Sequence, residues 1–197
     1  MKILGIACSP RKGKTTYFAL GECLAAAAEA RPGVETELIE LAGMDIRGCA
    51  ACGRCREEPV CGIDDDFNDL VPRLSDPEVR GMIVATPVYL GMMTSQCKAF
   101  LDRSVLLKRN GNRWGDRVGA VLAVGKVRNG GQELTIRAVQ TALLTHDMLC
   151  ISGASHFGAS LWSGGPGGVE GDESGLEAAR KVGRRVAEVA AARAGRQ

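Results

Sequence analysis

Five short runs of apolar, β-favouring residues recur along the chain: KILGIAC (2–8), ETELIEL (35–41), VRGMIVA (79–85), VGAVLAV (118–124) and MLCISG (148–153). Segments of helical character lie between and after them, at 15–30, 66–74, 95–107, 131–145 and 175–193. Such alternation of strand and helix predicts a parallel sheet covered by helices on both faces. The first, third and fourth runs are almost wholly apolar, as strands buried on both sides must be, whereas ETELIEL alternates charged and apolar side chains like an edge strand. The expected fold is therefore α/β, a doubly wound five-stranded parallel sheet in the order 2-1-3-4-5. In such a sheet the ligand crevice lies beyond the carboxyl ends of the strands, where the winding reverses. The loops after Cys8, Ala85 and Val124 are expected to hold the site.

A chain of 197 residues, 45% of them hydrophobic, supplies one good-sized core and falls short of two full domains, so residues 1–197 read as a single domain. A net charge of +2, from 25 basic and 23 acidic residues, sets up no global field to recruit nucleic acid or anionic lipid. The apolar run in MKILGIACSP is too short for a signal-peptide core and meets the charged RKGK directly. No segment approaches the roughly 18 apolar residues of a membrane helix. A soluble, cytoplasmic protein with neither nucleic acid nor membrane as partner is expected. Two glycine-rich stretches, GKVRNGGQ and GASLWSGGPGGVEGDESG, follow the fourth and fifth runs, and the second reads as a mobile lid. The last helix reads as an amphipathic cover whose final residues fray.

Directly after the first strand comes CSPRKGKTTYF. Ser9, Thr15 and Thr16 offer hydroxyls, Gly13 lets the backbone curl, and the loop feeds a helix whose free N–H groups favour an anion. The string GKT invites a nucleotide triphosphatase reading, but that motif needs a glycine where Cys8 stands, and GMIVA is followed by Thr86 and Pro87 rather than by an Asp for magnesium. The dinucleotide fingerprint GxGxxG is also absent. Among folds of this strand order, the remaining ligand is FMN, whose single phosphate suits such a loop.

Four of the eight cysteines, Cys49, Cys52, Cys55 and Cys61, fall within thirteen residues as CxxCxxC, five residues, C. In a reducing compartment such clusters are ligands or redox groups more often than disulfides. Structural zinc draws on two well-separated pairs, whereas a 4Fe-4S cluster offers four corners that so tight a loop can wrap. The spacing favours the cluster, and leaves zinc or free thiols open. Arg54 and Arg56 are expected to offset thiolate charge, and IDDDF reads as the acidic start of a helix. Cys23, Cys97 and Cys150 read as small apolar packing groups. His146 and His156 read as structural, Lys98 and Asp102 as a surface i,i+4 pair, and Arg103 as a candidate for a subunit interface.

The set SPRKGKTT, ATPVYLGMMTSQCKAFLDR, GKVRNGGQE and DESGLEAARKVGRRVAE, in this order over nearly the whole chain, resembles the flavodoxin-like NADPH-dependent FMN reductase family. The insert GCAACGRCREEPVCGIDDDF, at 48–62 in its cysteine-bearing part, is similar to the branch called iron-sulfur flavoproteins. The resemblance implies that Ser9, Arg11, Lys12, Gly13, Thr15 and Thr16 surround the FMN phosphate. It further implies that Thr86, Pro87, Val88, Tyr89, Leu90 and Gly91 run along the isoalloxazine ring, while Val127, Arg128, Asn129 and Gly130 approach its other edge. Thr15 stands where relatives often carry Asn, and Lys14 where a small residue is common. The implied protein is an oxidoreductase that takes electrons from NAD(P)H through FMN, with a 4Fe-4S cluster as a further carrier, to a small-molecule or protein redox partner. A homodimer or homotetramer is expected of such a protein. No side-chain acid or base is assigned, since hydride transfer to a flavin requires none. Two other readings stand beside it: an electron carrier without NAD(P)H turnover, and a phosphate-binding module with a zinc knuckle.

Overall fold

The computed structural model describes residues 1–153 and 156–194. Its elements follow the expected alternation: β1 (Lys2–Ala7), α1 (Thr15–Ala30), β2 (Glu35–Glu40), α2 (Phe67–Ser75), β3 (Val79–Pro87), α3 (Ser95–Arg103), α4 (Val105–Arg109), β4 (Val118–Gly125), α5 (Gln132–Thr145), β5 (Leu149–Cys150), β6 (Ala159–Trp162) and α6 (Glu173–Ala194). The strands pair in parallel in the order β2-β1-β3-β4-β5. β2 is the edge, and its Glu37 there meets Lys2 at 3.6 Å and Arg73 at 2.5 Å, charges that blunt an edge against further pairing.

The strands carry apolar residues on both faces because both faces are covered. Leu4, Ile6, Met82 and Val84 turn to the side of α2–α5, with Phe100, Leu107 and Trp114. Ile3, Ala7, Ile83 and Leu122 turn to the side of α1 and α6, with Leu20, Leu24, Val182 and Val186. Burying each large aliphatic side chain contributes about 1.5–3 kcal/mol, so the two layers together supply the drive for the fold. α1 and α6 touch so closely that a β-carbon on Gly183 would come within 1.9 Å of the Cys23 carbonyl oxygen.

Four expectations are corrected. The fifth run gives only a two-residue strand, and the edge beyond it is resumed by β6, which pairs with β4 from Leu122↔Ala159 to Gly125↔Trp162. The glycine-rich stretch read as a lid is thus partly sheet, and Asp172 accepts a hydrogen bond from the Trp162 amide at 2.7 Å. Its four-residue strand, bracketed by glycines, is too short to show a period. The helix expected at 95–107 breaks into α3 and α4 at Ser104, whose hydroxyl donates to the Leu101 carbonyl at 2.6 Å. Arg103, read as an interface residue, is buried. The expected fraying falls on residues 195–197, outside the described residues. Among the described residues no helix is long and apolar enough to cross a membrane.

Candidate functional site

The loops after β1, β3 and β4 emerge together at the carboxyl end of the sheet. In the first, Ser9 is buried and its Oγ accepts a hydrogen bond from the Arg11 amide at 3.1 Å, which tightens the turn. Arg11, Lys12, Gly13 and Lys14 are exposed, and Thr15 is half-buried. Lys14 caps α1 without a side-chain hydrogen bond, and no acidic residue sits in the first turn. Thr16 is fully buried, yet its Oγ1 has no hydrogen-bond partner. An uncapped helix N-terminus beside an orphaned buried hydroxyl fits a phosphate, which would satisfy both. The sequence did not point to Glu40, whose Oε1 accepts a bond from the Gly13 amide at 2.6 Å. That carboxylate occupies the Gly13 amide at the mouth of α1.

β3 ends at Pro87, two residues later than expected. Thr86 is buried, and its Oγ1 accepts from the Thr94 amide at 3.3 Å. Thr94 in turn caps α3, accepting from the Cys97 amide at 3.1 Å and donating to the Cys8 carbonyl at 2.8 Å, which ties the first loop to the second. The Val88 amide donates to Val124 at 2.9 Å, and Tyr89 and Met92 exchange backbone bonds of 2.8 and 3.0 Å around a turn at Leu90 and Gly91. Both turn residues have positive φ, 48° and 78°, and Leu90 stands free in solvent while Tyr89 is half exposed.

In the third loop Val127, Arg128 and Asn129 are exposed and Gly130 is half-buried. The buried side chain of Gln132 organises them: its Oε1 accepts from the Gly130 amide at 2.8 Å, and its Nε2 donates to Val127 at 2.8 Å and Arg128 at 3.1 Å. The Arg128 guanidinium lies 4.1 Å over the Trp162 ring, a cation–π contact that turns the cation toward β6. Neither Gln132 nor Trp162 was singled out in sequence: Trp162 meets Arg128 only across the sheet, and Gln132, although it closes the GKVRNGGQ loop, shows its role only through where its side chain turns. The structure therefore gathers all the predicted phosphate and ring residues at one end of the sheet, on three loops.

The insert at 48–62 lies across α3 and α4 and has one short 3-10 turn, Arg54–Arg56. Cys49 and Cys52 are exposed, Cys55 and Cys61 half-buried, and none is in a disulfide. Arg54 pairs with Glu58 at 3.2 Å. The guanidiniums that donate to the thiols are others: Arg103 Nε to Cys61 Sγ at 3.1 Å and Arg109 Nη1 to Cys55 Sγ at 3.0 Å. Arg103 also binds Asp65 through both terminal nitrogens at 2.7 and 2.9 Å, the Arg47 carbonyl at 3.0 Å and the Ile63 carbonyl at 3.3 Å. Burial works to raise the Asp65 pKa, but Arg103 and the amides of Arg47 and Phe67 outweigh it and hold the carboxyl below its ordinary value. Four free thiols are the right donors for an iron-sulfur cluster. Among the described residues, however, no three His, Cys, Asp or Glu side chains gather as a metal-holding group, so the thiols are present but not converged. A cavity of about 1080 Å³ runs from Cys49 and Cys52 past Met93 and Leu101 to Arg109 and His146.

The other cysteines and histidines take structural places. Cys8, Cys23 and Cys97 are buried, and burial pushes the Cys8 and Cys23 thiols well up. Cys150 is half-buried. His146 is buried against Trp114, with Nε2 2.8 Å from Ser104 Oγ. His156 Nδ1 lies 3.3 Å from Glu133 on the surface. Lys98 and Asp102 form the expected surface pair at 2.6 Å.

A family model described as NADPH-dependent FMN reductase matches residues 1–160. This chain belongs to the NADPH-dependent FMN reductase family. As such it is an FMN-dependent oxidoreductase. It is similar to the "Iron-sulfur flavoprotein" of Methanosarcina thermophila, 39% identical over 182 residues, which cover 92% of this chain and 93% of that one. It is also similar to "NAD(P)H dehydrogenase (quinone)" of Chromohalobacter salexigens, 29% identical over 83% of this chain and 85% of that one. Among solved structures, a flavodoxin WrbA-like protein from Agrobacterium tumefaciens superposes with a TM-score of 0.67 at 21% identity, covering 96% of both chains. That last likeness bears on the fold, which this FMN reductase family member shares.

Proposed function

We propose that this FMN reductase family member is one flavin-binding domain that moves electrons from NAD(P)H to a small-molecule or protein acceptor, with the cysteine insert at 48–62 holding a 4Fe-4S cluster. FMN supplies the chemistry, accepting a hydride equivalent and releasing its electrons one at a time. The chain's own part is to bind and orient. Ser9, Arg11, Lys12, Gly13, Thr15 and Thr16 hold the phosphate at the mouth of α1; Thr86 to Gly91 and Val127 to Gly130 flank the ring; Cys49, Cys52, Cys55 and Cys61 ligate the cluster. The nicotinamide donor and the acceptor approach over the ring loop, where Tyr89 is half exposed and Leu90 stands in solvent. We read the assembly as a homodimer or homotetramer.

The observation that carries the FMN part is the buried, unpartnered Thr16 hydroxyl beside an uncapped helix N-terminus at the carboxyl end of the sheet. The similarity to proteins named iron-sulfur flavoprotein supports the cluster. Purification without oxygen, followed by assay of flavin, iron and acid-labile sulfide per chain, tests both. Steady-state oxidation of NADPH and NADH, with FMN or a quinone as acceptor, tests the donor. Bound flavin without nicotinamide turnover would replace this reading by that of an electron carrier, and a flavin-free protein that refuses added FMN would end both.

A further inference from the structure

The insert has no core. Not one of residues 48–62 is buried, and its only regular structure is the 3-10 turn at Arg54–Arg56. A segment of that kind opens at little cost unless groups outside it hold it down. The groups that do so lie on the α3–α4 segment. Arg103, the last residue of α3, reaches Cys61 Sγ at 3.1 Å. Arg109, the last residue of α4, reaches Cys55 Sγ at 3.0 Å, and the adjacent Asn110 Nδ2 donates to the Cys55 carbonyl at 3.1 Å.

We infer that Arg103 and Arg109 are positioning residues that fix the second pair of insert thiols, Cys61 and Cys55, against the flavin-bearing core, leaving Cys49 and Cys52 on the free limb to close onto them. The inference rests on the cysteine-ligand reading proposed above. Arg103 is suited to the task because it cannot move: its side chain is fully buried, as is that of Asp65, and all five of its N–H groups are engaged by Cys61, Asp65, Arg47 and Ile63. Its guanidinium also lies 4.8 Å over the Phe67 ring. Arg109, on the exposed rim, holds Cys55 more loosely.

The same helix links the two halves of the site. α3 is hung by Thr94 from the Cys8 carbonyl and follows the Thr86–Gly91 loop, so Arg103 stands only about 12 Å of helix rise from its start. The ring loop and the Cys61 anchor thus stand at the two ends of one helix, α3, while the Cys55 anchor follows on α4. Hydrogen bonds to sulfur also raise the reduction potential of an iron-sulfur centre, because they favour its more negative state.

The test uses the full chain with Arg109→Met and Arg109→Lys, since Arg109 is exposed and its loss leaves the core intact. In chelator-treated, metal-free protein, hydrogen exchange is followed at the amides of Arg56, Glu57 and Glu58, which bond within the 3-10 turn. Arg109→Met is expected to speed their exchange about tenfold, the equivalent of one hydrogen bond, with β1–β4 unchanged. Arg109→Lys, which keeps the charge, is expected to lie between. Equal exchange in wild type and Arg109→Met would overturn the positioning role whether or not a cluster exists. After anaerobic reconstitution with ferrous iron and sulfide, Arg109→Met is expected to move the midpoint potential to more negative values. An unchanged potential in iron-loaded Arg109→Met would remove the sulfur hydrogen bond from the account. Wild type that takes up no iron would sink the cluster reading, and the exchange result would still decide the anchoring.

Discussion

A β-carbon on Gly131 would sit 3.0 Å from the α-carbon of Gly91 and 3.1 Å from its carbonyl oxygen. The two loops expected to flank the flavin ring therefore meet at a pair of glycines, and the Thr135 hydroxyl reaches the Gly91 carbonyl at 3.4 Å from the first turn of α5. Gly131 also has φ 102°, which an L side chain rarely adopts. Gly131→Ala is expected to cost about 1–3 kcal/mol of strain and to push the Tyr89–Gly91 turn away from α5. Urea denaturation and an FMN titration measure the two effects; a variant with wild-type values in both would show that the loops do not depend on this contact.

Thr16→Val removes the orphaned hydroxyl and keeps the shape of the side chain. Because that hydroxyl is buried without a partner, the variant is expected to be at least as stable as wild type in the absence of flavin. A hydrogen bond to a charged phosphate is worth about 1.5–3 kcal/mol, so FMN affinity is expected to fall roughly tenfold to a hundredfold. Fluorescence quenching of FMN reads the affinity, and an unaltered Kd would place the phosphate elsewhere.

Arg103→Met strips the buried Asp65 carboxylate of its bidentate partner and leaves it the Arg47 and Phe67 amides and the Arg47 guanidinium at 3.7 Å, which is expected to cost up to about 3–5 kcal/mol. Adding Asp65→Asn removes the stranded charge and is expected to recover a large part of that loss. Stabilities from chemical denaturation of the two single variants and the double variant give the coupling directly. Additive losses would mean that the pair does not act as a unit.

His146 makes stability depend on pH. Burial, with the Lys108 charge adding to it, holds the imidazole pKa down at about 4 from its ordinary 6.5. Between those values the unfolded chain binds a proton that the folded protein refuses, so stability falls as pH drops through this window and levels off below it. The expected loss from this group between pH 7 and pH 5 is about 2 kcal/mol. His146→Gln, which keeps a partner for Ser104, is expected to flatten the curve; denaturation midpoints at the two pH values, equal in their shift for both proteins, would assign the dependence to other groups.

The sheet and its order were legible in the sequence because burial on both faces forces apolar runs, and the edge position of β2 forces alternation. The phosphate loop was legible for a similar reason, since turn, hydroxyls and helix start are contiguous at 9–16. Local chemistry also marked the four cysteines as one group. What the chain order does not record is which distant group meets which. Asp65 lies 38 residues from Arg103 and Cys55 lies 54 from Arg109, and nothing in IDDDF or FLDR says that they touch. Sequence assigned thiolate balance to Arg54 and Arg56, the nearest cations, whereas packing gave the two thiol contacts to Arg103 and Arg109. In the same way Trp162 and Glu40 entered the site only once the sheet had brought their loops together. Periodicity is a property of one segment facing one environment, so a single chain reveals it; a hydrogen bond between segments exists only when the fold has closed, and so only the tertiary structure decided it.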